Sequence, residues 1–253
     1  MGLAIDLTGR NVLLTGGSKG IGAATVRLLH QAGAKVFFTY LSDQAAAQNL
    51  SRELGDGVSC AQCDIGDSAL LPSLIGECVA RLGSLDVLVN NAAIFSFNPF
   101  DGADYETWRG GWQHTFAVNL FGAADLTFLA LREMRRQRCG KIINVASRSA
   151  HRGELSFPDY GASKAALVNL TKSLARSCAK DGIVSIAIAP GFIETEMAAE
   201  ELKTRRAEVE AEIPSRRVGT PQEVASIIAF FASDLGNYAN GAVIDVNAGS
   251  YVR

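Results

Sequence analysis

No excess of either charge marks this sequence. Its 24 lysines and arginines face 26 aspartates and glutamates, for a formal net charge of −2, so no net positive field exists to hold a polyanion and nucleic acid is excluded as an expected partner. Cysteine is scarce: the five residues Cys60, Cys63, Cys78, Cys139 and Cys178 are scattered and odd in number, which is no disulfide framework, and they read as free thiols. Cys60 and Cys63 form a C-x-x-C, but no second pair or nearby histidine completes a zinc site. His30 and His114 also lack partners at ligand spacing and read as structural, so no metal is expected. The opening residues 1–6 lack a basic region followed by an apolar stretch, and no run reaches 18 uninterrupted apolar residues, so a cytoplasmic protein without a membrane span is expected. Finally, no Pro/Ser-rich linker, low-complexity tract or repeat breaks the chain, which predicts one domain over residues 1–253.

What is present is ordinary globular composition, 48% hydrophobic and 20% charged over 253 residues. A chain of this length buries about 75% of its unfolded surface. Short β-rich apolar runs alternate with segments of helical period, beginning with 11–15 and then 21–31. Further strands are predicted at 35–40, 58–64, 85–90, 141–147, 183–189 and 242–246. Several are continuously apolar, such as Val87-Leu88-Val89, as expected where helices cover both faces of a parallel sheet. The predicted fold class is therefore α/β, a doubly wound seven-stranded parallel sheet of Rossmann type. Two stretches are least regular, 94–105 and the charge-rich 192–217, and the second reads as a mobile substrate lid or as a solvated helical excursion.

The first strand runs into Thr15-Gly16-Gly17-Ser18-Lys19-Gly20-Ile21-Gly22 and then a helix, the context a dinucleotide loop requires. Glycine permits the tight turn and close approach of a pyrophosphate, and the helix N-terminus offers unpaired N–H groups and positive dipole. Gly16, Ser18, Lys19, Gly20, Ile21 and Gly22 are thus candidate cofactor residues, although a glycine-rich turn can also serve packing alone. NAD enzymes place an acidic residue at the end of the second strand for the adenosine ribose. Here Tyr40 stands there, followed by Ser42, with no carboxylate until Asp43 and with Lys19 positive inside the loop. NADP(H) is preferred on that basis and NAD(H) is possible; a merely solvated Lys19 would leave the choice open.

Tyr160 and Lys164 lie i, i+4 on a predicted helix and share a face. An adjacent ammonium is expected to lower the phenol pKa from its reference of about 10, letting Tyr160 exchange a proton with a carbonyl oxygen. A surface pair is the alternative for this spacing. Ser147, thirteen residues before Tyr160, closes an apolar strand at the carboxyl edge where doubly wound sheets bind ligands.

With these residues in place the chain resembles the short-chain dehydrogenase/reductase superfamily over essentially its whole length. The matching elements are Thr15-Gly16-x-x-x-Gly20-x-Gly22, Asp64, Asn90-Asn91-Ala92-Ala93, Asn119, Ser147, Tyr160, Lys164 and Pro190-Gly191, in the expected order. The resemblance implies hydride transfer between a nicotinamide and a carbonyl or secondary alcohol carbon without metal. It implies Tyr160 as general acid or base, Lys164 as its pKa modifier and ribose ligand, Ser147 as the donor that polarises the carbonyl, and Asn119 as the residue that positions a proton-relay water. It further implies that Asp64 and Ile65 contact adenine, Asn91 and Ala92 the adenosine ribose region, and Pro190, Gly191, Ile193 and Thr195 the nicotinamide end. Ala93 departs from the family's usual glycine.

Within the superfamily, the segment from Pro190 to Met197 and the tail Asp245-Val246-Asn247-Ala248-Gly249 look most like 3-oxoacyl-(acyl-carrier-protein) reductases, which implies NADPH dependence and a homotetramer. The first expected function is then an oxidoreductase acting on a 3-oxoacyl thioester. The alternatives are an alcohol, polyol or sugar dehydrogenase working on a soluble metabolite, and a non-catalytic cofactor sensor. By the same resemblance, acyl carrier protein would dock on basic helix ends beside the site mouth. Arg135, Arg136 and Arg138 supply one such end, whereas the second holds Asp181 next to Lys180, so carrier-protein use stays open. Phe95, Phe97, Pro99 and Phe100 are read as lining an apolar substrate pocket. His151 and Arg152 are placed either to touch a polar or acidic substrate group or on a surface loop. Trp108 and Trp112, i, i+4 on a helix, read as packing or interface residues.

Overall fold

The computed structural model of the protein describes residues 5–102 and 104–252; residues 1–4, part of the opening read for a leader, lie outside them, as does Ala103 of the 94–105 connection. The apolar runs form seven parallel strands: β1 Asn11–Leu14, β2 Lys35–Tyr40, β3 Val58–Gln62, β4 Val87–Asn90, β5 Gly140–Val145, β6 Ile183–Pro190 and β7 Val243–Val246. They are ordered β3-β2-β1-β4-β5-β6-β7 in one sheet. The chain winds outward from β1 through β2 to β3, then returns to the other side of β1 with β4, so the gap above β1 and β4 is the topological switch point.

Helices α1 Gly20–Gln31, α2 Gln44–Leu54, α3 Leu71–Leu82, α4 Tyr105–Phe116, α5 Ala123–Gln137, α6 Ser149–Arg152, α7 Pro158–Cys178, α8 Ala199–Glu212 and α9 Pro221–Ala232 connect the strands. Two cores flank the sheet. Val12, Leu14, Val36 and Phe38 face one side with Val26 and Ile228, while Leu13, Phe37 and Leu88 face the other with Leu74, Leu126 and Met134, which is the alternation a strand buried on both faces must show.

Three strands end earlier than the apolar patterns suggest. Thr15, Asp64 and Ser147, each read as a strand end, lie beyond the ladders, where the backbone leaves the sheet and turns over its carboxyl edge. A six-residue π-helical segment, Ala117–Gly122, joins α4 to α5. The helical run 105–137 is long and apolar enough to cross a membrane by composition, but half of its most apolar window is buried in the fold. The charge-rich stretch 192–217 contains α8, whose Leu202 and Val209 form a small separate core with Ile213 and Val218.

Candidate active site

A cavity of about 920 Å³ opens along the carboxyl edge of the sheet. Its glycine loop is shaped by close approach. Gly16 has φ +70° and a Cβ there would stand 3.0 Å from Ala92 Cα; Gly20 has φ +51° and a Cβ would meet Thr195 at 3.1 Å. Only glycine takes these conformations without strain. Asn91 fixes the loop from the neighbouring strand, its amide donating to the carbonyls of Thr15 and Gly16 at 2.9 and 3.0 Å. Lys19, the residue before α1, makes no side-chain cap, which leaves the first N–H groups of a 12-residue helix facing the cavity. Uncapped donors and dipole at a glycine cradle fit a dinucleotide pyrophosphate.

The side chains expected to bind cofactor come together as read. Gly16, Ser18, Lys19, Gly20, Ile21, Gly22, Tyr40, Ser42, Asp64, Ile65, Asn91, Ala92, Pro190, Gly191, Ile193 and Thr195 all line this one cavity, with Ser147, Tyr160 and Lys164. Lys19 is not simply solvated. Its Nζ lies 2.8 Å from Asp43 Oδ2 and 3.3 Å from Glu196 Oε2, and these partners raise its pKa. Asp43 is doubly engaged, because its Oδ1 also accepts from Ala46 N at 2.9 Å and caps α2.

Ser147 follows β5 and Tyr160 sits in the first turn of α7, both line the cavity, and the Ser147 hydroxyl is near enough to the phenol to favour its ionised form. Lys164 is fully buried one turn on, with Nζ donating to Val145 O at 2.7 Å and lying 5.7 Å from the Tyr160 ring centroid. The pairing holds, but the expected electrostatics do not. Burial pushes the Tyr160 phenol up to about 12, with the Ser147 hydroxyl pulling the other way. Burial also pushes Lys164 down to about 7. Burial outweighs the Ser147 hydroxyl's opposing pull, so Tyr160 is held as a neutral acid.

Asn119 does not line the cavity. It is buried in the π-helical segment, where its Oδ1 accepts from Ile94 N at 2.8 Å and its Nδ2 donates to Ile94 O at 3.0 Å and Ser163 Oγ at 3.2 Å. It therefore clamps the connection after β4 to α7. Phe95 of that connection stacks on Phe157 with centroids 3.8 Å apart and packs edge-on to Tyr160 at 4.8 Å, giving an apolar wall; Phe97 and Phe100 are exposed.

Of the remaining readings, one needs correction, the placing of the basic helix ends beside the site mouth; the three other residues are distributed between the cavity and its surroundings. His114, read as structural, borders the cavity. His151 does not line it: its ring stacks on Tyr251, whose hydroxyl donates to His151 O at 3.3 Å. Arg152 does line it, between Glu154 and Glu212. The basic helix end of α5 and the Lys180–Asp181 turn precede β5 and β6, so both lie at the amino edge of the parallel sheet, opposite Ser147 and Tyr160. A six-residue strand separates the edges by about 20 Å. Arg135 pairs with Asp181 at 2.9 Å and Arg136 with Glu133 at 2.8 Å. Sequence reasoning missed Arg148, Phe192 and Glu154 as lining residues.

Comparison with known proteins agrees with this geometry. Residues 16–251 match the family model described as enoyl-(acyl carrier protein) reductase. The chain is 36% identical over 248 residues to the 3-oxoacyl-(acyl-carrier-protein) reductase of Salmonella typhimurium, covering 98% of this chain and 100% of that protein. It is 34% identical over 255 residues to the enzyme of the same name from Aquifex aeolicus, covering 98% and 100%. Among solved structures, a short-chain dehydrogenase/reductase from Brucella melitensis, titled glucose/ribitol dehydrogenase, superposes with a TM-score of 0.91 at 32% identity, covering 99% of this chain and 100% of that one.

Proposed function

The chain is an oxidoreductase that belongs to the short-chain dehydrogenase/reductase family, and on that premise we propose that it reduces a carbonyl compound with NADPH, a 3-oxoacyl thioester first. The observation that carries this reading is the hydroxyl pair of Ser147 and Tyr160 at the cavity, with Lys164 buried behind it. A nicotinamide dinucleotide supplies the hydride when bound. The glycine loop and the α1 N-terminus would hold its pyrophosphate, with Asp64 and Ile65 at the adenine end and Ile193 and Thr195 at the nicotinamide end.

The protein's own residues supply the rest. The Ser147 hydroxyl donates to the carbonyl oxygen and orients it. Tyr160, kept protonated by burial, gives up its proton to that oxygen as negative charge builds there. Lys164 stands behind the phenol and stabilises the charge the proton leaves on it. Asn119 acts through its clamp on Ile94 and α7, which fixes the depth of Tyr160. A neutral phenol serves reduction directly, whereas oxidation by an alcohol dehydrogenase would start from phenolate, and a cofactor sensor has no chemical need of the pair.

NADPH is preferred because Asp43, the carboxylate that follows β2, is already engaged by Lys19 on one oxygen and by Ala46 N on the other, so a ribose diol must compete with both for its remaining lone pairs. Lys19 can turn from Asp43 to a 2′-phosphate. The 192–217 stretch, carrying α8, serves as the substrate lid, and the whole of 1–253 is one cytoplasmic domain. The exposed Phe121 and Phe128 on the helical run 105–137 suit burial between subunits of a homotetramer. The thioester's carrier is left to experiment, since the basic helix ends face the other edge of the sheet. Steady-state NADPH oxidation with acetoacetyl thioester, small ketones and sugars tests the reading. Turnover fastest with the thioester supports it, and turnover confined to sugars or polyols with NAD(H) would replace it.

A further inference from the structure

The cavity wall beside Ser147 carries several charged side chains, and all but one answer each other. Arg152 lies 3.8 Å from Glu154 and 3.7 Å from Glu212, and Arg205 lies 3.1 Å from Glu201. Arg148 is the exception. It follows Ser147 directly, lines the same cavity and is only 4% exposed. Its guanidinium carbon stands 4.6 Å from the centroid of the Phe192 ring, so one face of the cation is covered. Stacking leaves the in-plane N–H edge short of partners: Nη1 is buried with no hydrogen bond, and Glu154, Glu212 and Glu201 attract the guanidinium without forming any of the ion pairs found among the described residues. Its backbone N–H donates to Pro190 O at 2.9 Å, fixing the residue at the carboxyl ends of β5 and β6.

A buried guanidinium without a counterion is costly, and a fold keeps one where another group completes it. Arginine presents parallel N–H donors that match the two oxygens of a carboxylate. Burial, with Arg152 nearby, lowers the pKa of Arg148 against the opposing attraction of Glu154, Glu212 and Glu201. Consecutive residues place their Cα atoms about 3.8 Å apart, so an anion held by Arg148 is a few bonds from a carbonyl held by Ser147.

We propose that Arg148 is a specificity-determining residue whose free guanidinium edge pairs with a carboxylate on the substrate, making an oxo acid a preferred substrate of this site over its neutral ester. This rests on reading the cavity as a carbonyl-reducing site, and not on the thioester. Reduction of pyruvate, acetoacetate and levulinate by NADPH is compared with reduction of their methyl esters, in the native protein and in Arg148→Met and Arg148→Lys. For at least one acid, kcat/KM should exceed that of its ester by about 100-fold, mainly through KM. Arg148→Met should bring that ratio near one, and Arg148→Lys should restore part of it, since charge survives without the planar fork. An acid-to-ester ratio near one in the native protein overturns the proposal. So does a fall on acid and ester alike in Arg148→Met with a lowered melting temperature, which would identify a clamp for Phe192. Turnover of acetoacetyl thioester with no acid reduced overturns the proposal and leaves carbonyl reduction standing, whereas no NADPH consumption with any carbonyl removes both.

Discussion

Replacing Lys19 by alanine should narrow the preference for NADPH over NADH. In the structure the ammonium is shared between Asp43 at 2.8 Å and Glu196 at 3.3 Å, with 45% of its side chain exposed. A 2′-phosphate must therefore compete with two carboxylates for one partly solvated cation. The gain from such a contact is modest, and loss of Lys19 should reduce the ratio of the two dissociation constants by about fivefold. Asp43→Asn changes the competition in the opposite sense. Asparagine still accepts from Ala46 N and caps α2, so the helix is kept, but Lys19 loses its nearer acidic partner and the ratio should widen by about the same factor. Fluorescence titration of both cofactors at two salt concentrations measures each ratio, and the difference between variants should shrink as salt rises. An unchanged ratio in Lys19→Ala, or a narrowed one in Asp43→Asn, would refute the assignment of this lysine to the phosphate.

With the phenol near 12, alcohol oxidation should rise about tenfold per pH unit between 7 and 9, while reduction loses nothing to Tyr160 over that range; stopped-flow rates in both directions check it. Lys164 is held near 7 against 10.5 for a free lysine, so the unfolded chain binds the extra proton between those values. Stability should therefore rise with pH across that window and stay at its lower value below 7, and Lys164→Met should flatten the slope of denaturant midpoint against pH. Thr220 caps α9 in a reciprocal box with Glu223; Thr220→Ala should cost about 1 kcal/mol and lower the melting temperature by about 2–4 °C in calorimetry, with cofactor affinity unchanged.

What was legible in the sequence is what local spacing encodes. The glycine loop, the i, i+4 pair of Tyr160 and Lys164, and the apolar strands each follow from residues close together in the chain, and the sheet order places them on one edge. Features set by distant partners were not legible. The isolation of Arg148 depends on Phe192, 44 positions on. Lys19 meets Asp43 and Glu196 from two other elements. The direction of the Tyr160 shift comes from burial, in a place where Phe95 from a distant connection packs edge-on to the ring, which no helical spacing reveals. The amino-edge position of Arg135 and Asp181 could have been read from the order of helix and strand alone.

Substitution of a single oxygen atom tests the central claim most directly. In Tyr160→Phe, pre-steady-state mixing with NADPH and acetoacetyl thioester should show cofactor bound with near-native affinity and its absorbance decaying at least about 1000-fold more slowly than in the native protein. Decay at the native rate would contradict the account, since some other group would then be delivering the proton.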